Sequence, residues 1–142
     1  MSITGLTLRP GEVRLSLPYP VSANRMYRAG KGRVYKSDAY KTWQAEAHVA
    51  WLQQKNQLSV KRVDGRYLLL LEATPPDQRN RDIDNLVKSV SDFLQAVGVI
   101  SNDHLSKRII LDWTDDPSAK AGVVATVYPI AVGTGQGTEA EA

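Results

Sequence analysis

The chain has 142 residues, no cysteine and a formal net charge of +3. That length favours one domain with a core of its own, and the missing cysteines exclude disulfides and thiolate-bound zinc. No apolar run approaches the roughly 20 residues of a membrane span, and MSITGLTLRPGE has no basic stretch followed by an apolar one, so no signal peptide is expected.

Residues 12–17 alternate polar and apolar, as a strand does, and Pro18 and Pro20 end the pattern. The segment SANRMYRAGKGRVYKS that follows is rich in Gly, Arg and Tyr and reads as a loop or loose hairpin. Ser37 and Asp38 can cap a helix running to about residue 55. On it Tyr40, Trp43, Ala47, Ala50 and Trp51 share one face, which reads as core, and His48 falls among them. Residues 66–73, RYLLLLEA, form a short and nearly continuous apolar run, a strand buried on both faces. Pro75 and Pro76 stop it, and DQRNR leads to a second helix from about residue 84 to 97. Its apolar positions, Leu86, Val87, Val90, Phe93, Leu94 and Val97, follow helical steps, and Gly98 suits the left-handed residue after a helix end. Strands follow at 108–113 and 122–128, joined by the turn-like DDPSAK. The tail, residues 131–142, has little apolar content and reads as disordered. The expected fold is a single α+β domain over residues 1–130, with a mixed sheet of about four strands and two main helices packed on it.

Charge is unevenly placed. The tail carries Glu139 and Glu141 and no base, so without it the net charge rises from +3 to +5. Arg25, Arg28, Lys31, Arg33, Lys36 and Lys41 face only Asp38 within their stretch. Such a cluster attracts a polyanion, although it also suits a solvated loop.

The acids in RDIDNLVKSVSD raise the sharper question. Asp82 and Asp84 flank Ile83, and residues two apart in extended backbone point the same way. Asp84, Lys88 and Asp92 are spaced by four and line one stripe, opposite the apolar face. One reading makes the aspartates helix caps, each worth about 1 kcal/mol, and Lys88 a surface ion pair. The other brings in Asp103, after the helix end, as a third carboxylate. Hard carboxylate oxygens suit Mg²⁺, which takes few protein ligands beside a substrate phosphate. Arg79 and Arg81, just before the acids, could hold a phosphate backbone. Other chemistry finds little support: the glycines near Lys31 lack P-loop spacing, His104 is a minor extra candidate beside Asp103, and Ser89 and Ser91 lack a base at a recognisable spacing.

PPDQRNRDIDNLVKSVSDFLQAVGVISND resembles the signature of the RusA family of Holliday-junction resolvases, as does LPYPVSANRMYR the family's L-P-x-P-x-S-x-N-R-x-Y-R segment. The family's second aspartate and its later acid are about 19 residues apart, a spacing that Asp84 and Asp103 keep. The resemblance implies a RusA-like fold, an intertwined homodimer and a Mg²⁺-dependent endonuclease, Mn²⁺ able to substitute, that resolves four-way DNA junctions in recombination and repair. Residue by residue, Asp82, Asp84 and Asp103 match the metal-binding catalytic acids and Lys88 the essential lysine. Asn85 and Asp92 match recurrent polar positions. Arg25, Arg28, Lys31, Arg33 and Lys36, with Tyr27 and Tyr35, would hold backbone phosphates, together with Arg79 and Arg81. One departure stands out: where the family has an acidic pair, this chain has Asn102 before Asp103. The implied setting is the cytoplasm of a bacterial or phage-infected cell. Rival readings are a non-catalytic protein that binds branched DNA, a metal-dependent nuclease acting on other DNA structures, and an interaction module whose acids are only caps.

Overall fold

The computed structural model of the chain describes residues 2–3, 5–116 and 118–131. A small hairpin that the sequence pattern does not announce comes first, β1 (Ser2–Ile3) paired with β2 (Leu6–Thr7). β3 (Val13–Leu17) follows its alternation: Val13, Leu15 and Leu17 are buried, while Arg14 and Ser16 are exposed. The Gly-rich basic segment is a two-stranded ribbon, β4 (Tyr27–Gly30) and β5 (Arg33–Lys36), that pairs only with itself. Its turn has Lys31 at φ 53° and Gly32 at φ 75°. Positive φ at both central residues gives a twist that suits tight hairpins.

Helix α1 (Asp38–Gln54) starts where the capping signal puts it, the Ser37 hydroxyl accepting from the Tyr40 amide at 3.1 Å. Tyr40, Trp43, Ala47 and Trp51 are buried. His48, expected among core residues, is exposed instead, because one step past Ala47 turns a side chain about 100° off the buried stripe. β6 (Tyr67–Thr74) then runs through the middle of the sheet. Leu68 and Leu69 point to opposite faces and both are fully buried.

Helix α2 (Val87–Ala96) begins later than expected, since residues Ile83–Leu86 wind as a 3₁₀ turn. The α-helix itself has no side-chain N-cap. Its other end matches expectation: Gly98 sits at φ 83°, its amide donating to Gln95 O at 3.1 Å and that of Val99 to Leu94 O at 2.9 Å. These are the two bonds of a Schellman motif. The chain closes with β7 (Ser106–Trp113) and β8 (Gly122–Pro129). Ala131 still donates to Thr7 O at 2.8 Å, and the rest of the tail expected to be disordered lies outside the described residues.

The sheet order is β3-β8-β6-β7, with β6 and β7 parallel and β8 antiparallel to both its neighbours. The connections β3–α1–β6 and β6–α2–β7 step the same way across it. Right-handed crossovers then place both helices on one face. The packing agrees, for Trp43 of α1 meets Phe93 of α2 edge-on at 5.8 Å, above Leu15, Leu69, Leu71 and Ala125 of the strands. The register puts Arg14, Thr126, Leu70 and Ile110 in one row of the opposite face, and Arg14 reaches Glu72 there at 4.0 Å. The molecule is thus the expected α+β domain, a mixed four-stranded sheet with two helices.

Candidate functional site

Ile83 packs against the core and Leu86 is buried, which turns the residues flanking Ile83 outward. Asp82 is extended at φ −87°, ψ 120°, and its side chain caps nothing. Asp84 lies in the 3₁₀ turn and is exposed. Neither carboxylate has a hydrogen bond or ion pair among the described residues. The capping expectation therefore fails. The turn is closed by backbone, Asn85 N to Asp82 O at 3.3 Å, and needs no carboxylate. The tighter winding also breaks the expected stripe. Asp84 and Lys88 are four apart but separated by the change from 3₁₀ to α geometry, and they form no ion pair.

Lys88 pairs instead with Asp92 at 3.1 Å. That hydrogen bond and the Asp92 charge raise the lysine above its ordinary value, with smaller help from Asp103 and Tyr27. Lysine is charged at neutral pH in any case, and the pairing with Asp92 strengthens that and fixes where the ammonium sits. Asp103 sits in a 3₁₀ turn, Asp103–Leu105, fastened from both sides. Its amide donates to Gln95 Oε1 at 3.0 Å, and the Tyr67 hydroxyl reaches its carbonyl at 3.5 Å. Asn102, the departure from the family pattern, supports this turn directly. Its side-chain oxygen accepts from the His104 amide at 3.1 Å and caps the turn that carries Asp103. Tyr40, buried next to Asp92 and Tyr27, is pushed up to about 12, mainly by burial.

The acids are arranged along α2. Asp82 and Asp84 precede its first turn, Asp103 is tied to its last, and Lys88 with Asp92 lies between. Among the described residues no three His, Cys, Asp or Glu side chains come close enough to hold a metal by themselves. The donor set still suits a hard divalent cation. Asp82 and Asp84 are exposed carboxylates with no protein partner, and Mg²⁺ completes its shell with water and substrate phosphate after one or two carboxylates.

The two arginines before the acids are placed differently from the expectation of free phosphate grips. Arg81 meets Asp77 Oδ1 at 2.7 Å, donates to the carbonyls of Asp77 and Arg79, and lies over the Tyr19 ring at 5.6 Å. Arg79 meets Asp77 Oδ2 at 3.1 Å and remains largely exposed. Hydrogen bonds from Arg81 and then Arg79 hold the Asp77 carboxyl well below the usual carboxylate range. The signal for this pairing in the sequence is an acid two and four positions before the arginines, which the expectation of free grips leaves out.

The ribbon is different. Arg28, Lys31, Arg33 and Lys36 are all exposed, as are Tyr27, Val34 and Tyr35. Lys36 and Tyr27 touch the body, Lys36 donating to Gln44 Oε1 at 3.2 Å over the Tyr40 ring and Tyr27 meeting that ring edge-on. Arg25 ends the 3₁₀ turn Ala23–Arg25, which packs against both Ile83–Leu86 and α2. The Ser89 hydroxyl donates to Val21 O at 2.9 Å, so it serves packing. Through this bond and the Arg81–Tyr19 stack, the segments 17–28 and 75–103 fold onto each other. Gln95 joins the site without a sequence signal that singled it out.

A search of curated proteins returned no match. A family model described as Endodeoxyribonuclease RusA matches residues 18–127, well over half of the chain, a span that includes Asp82, Asp84, Lys88, Asp92 and Asp103. The chain belongs to the RusA endodeoxyribonuclease family.

Proposed function

We propose that the protein is a divalent-metal-dependent nuclease that resolves four-way DNA junctions, acting as a homodimer in recombination and repair. The observation that carries the reading is that the carboxylates of Asp82, Asp84 and Asp103 have no hydrogen bond or ion pair among the described residues, while Lys88 on the helix between them is paired with Asp92. Structural acids are normally paired or capping; these are held in place through their backbones and neighbours, with oxygens left free.

Asp82 and Asp84 would hold Mg²⁺, or Mn²⁺ in its place, together with the substrate phosphate, and Asp103, the third acid of the family pattern, would join them once the ion draws the carboxylates together. Bound there, the ion supplies an activated water and offsets charge on the phosphate. Lys88 would present its positive charge toward the same phosphate, held in orientation by Asp92. Asn85, in the same turn, supports the placement of Asp84 through its backbone bond. Arg25, Arg28, Lys31, Arg33 and Lys36 supply contacts to the DNA backbone, which set position rather than sequence. Arg79 can add one, whereas Arg81 braces the loop. Two copies related by a two-fold axis would present two such sites to a two-fold junction, which accounts for paired nicks. The sheet face without helices, with Leu70, Ile110 and Val124 only half-buried, is the surface open to such a partner.

The test is cleavage of a labelled synthetic four-way junction beside a linear duplex, with and without Mg²⁺, by wild type and Asp84→Asn. Paired nicks confined to the junction, to metal and to wild type are expected. Binding of the junction without any cutting would leave a branched-DNA-binding protein. Cutting of flaps or single strands in preference to junctions would move the substrate class.

A further inference from the structure

The ribbon has two tyrosines of equal exposure on opposite faces, and only one meets α1. The register pairs Tyr27 with Lys36 and Arg28 with Tyr35, and paired residues share a face while successive residues alternate. Tyr27 and Tyr35 are each 46% exposed. Tyr35 lies over Gly30, on the side away from α1. Tyr27 meets Tyr40 edge-on, with ring centroids 5.8 Å apart and planes at 67°. That contact anchors the ring and leaves almost half its surface in solvent. Lys36, beside it on the same face, also lies over Tyr40 at 5.7 Å. The turn Ala23–Arg25, two residues before Tyr27, packs against both Ile83–Leu86 and α2, which brings the start of the ribbon to the elements that carry Asp84 and the Lys88–Asp92 pair.

We infer that Tyr27 is a stacking platform for an unpaired nucleobase next to the phosphate that is cut; the inference rests on the nuclease reading above. A rigid ring with an open side, paired across the ribbon with Lys36, offers what an exposed base at a branched strand needs. The cations hold the backbone and the aromatic face takes the base. A hydroxyl role would use only the phenol oxygen; stacking uses the ring and is indifferent to it. The branch point of a junction provides such a base, because stacking is interrupted there. The base that fits best on Tyr27 would then bias where the strand is cut, which makes this ring a determinant of cleavage position.

The experiment measures binding by fluorescence anisotropy, without divalent cation, of a four-way junction and of a series with one abasic site moved through the branch point. The proteins are wild type, Tyr27→Phe, Tyr27→Leu, Tyr27→Ala and Tyr35→Ala. Tyr27→Phe should bind as wild type, and Tyr27→Ala should lose roughly 5- to 150-fold, the range of one base–aromatic stack. Tyr27→Leu, which can still pack on Tyr40, should lose nearly as much, and its melting temperature checks that the fold is kept. The loss should vanish at a single abasic position within one nucleotide of the nick mapped with wild type and Mg²⁺. Tyr35→Ala should show no dependence on abasic position. A loss in Tyr27→Phe equal to that in Tyr27→Ala, a leucine variant binding as wild type, or a ratio that is flat across the series would each overturn the stacking. Cutting is scored separately: a flat ratio with normal cutting defeats only the stacking, while a position-dependent ratio without cutting defeats only the nuclease reading. If wild type does not bind the junction, both fall.

Discussion

The ribbon β4–β5 and the loop 77–81 are both basic in sequence, and the fold treats them in opposite ways. In the loop, irregular backbone lets Asp77 accept from Arg79 and Arg81 at once, and Arg81 also covers Tyr19. In the ribbon, regular pairing sets Arg28 across from Tyr35 and Arg33 across from Gly30, with no acid in either strand. Its cations face solvent. Charge counted along a chain is thus not charge available to a ligand, since a nearby acid on a flexible backbone cancels it and a strand partner without charge does not. The acids divide the same way: Asp77 and Asp92 hold cations of this protein, whereas Asp82 and Asp84 hold none.

The largest effect expected from this division is at Asp84. Asp84→Asn should cut junctions at least about 100-fold more slowly, the scale of losing one group that offsets transition-state charge. Its stability should stay within about 0.5 kcal/mol of wild type, because no partner is lost. A large fall in melting temperature would show that Asp84 is structural after all. Next come the cations. Each phosphate contact contributes about 0.9 to the slope of log affinity against log salt, so Arg28→Ala with Arg33→Ala should lower the slope by about 1.8. Arg81→Ala should leave the slope unchanged and speed proteolysis of the loop. Equal slopes for the two variants would erase the distinction between the regions.

Acid sharpens it further. The Asp77 carboxyl is depressed below its ordinary 3.8 by Arg81 and Arg79. What it contributes is present above that value and is lost as pH falls through the folded one. Loop protection, followed by hydrogen exchange, should therefore decline in acid for wild type and be absent at every pH in Asp77→Asn. The smallest effect belongs to Asp92. Lys88 is raised above its ordinary 10.5 chiefly by the Asp92 hydrogen bond, so the pair is intact below 10.5 and lost as pH rises through the folded value. Asp92→Asn should move the alkaline limb of the pH–rate profile to lower pH while changing the rate at neutral pH by less than about tenfold. An unmoved limb would remove Asp92 as the group that positions Lys88.

Much of this was legible in one dimension because it depends on neighbours in the chain. The alternation of residues 13–17, the helical steps from Leu86 to Phe93, the Ser37 cap and Gly98 at the helix end are local, and the fold follows them. Spacing and family likeness also single out Asp82, Asp84, Lys88 and Asp103 as candidates. What spacing could not supply is who satisfies whom. That Asp82 caps nothing, that Asp77 takes both arginines, that Asn102 caps the turn of Asp103, and that Gln95 anchors it depend on backbone details of a 3₁₀ turn and two loops. The placement of Tyr27 depends on more, since it needs the ribbon laid against the start of α1. Local periodicity determined the elements and the candidate acids. Only the tertiary arrangement decided which charges remain free, because pairing is settled by distances between segments far apart in the chain.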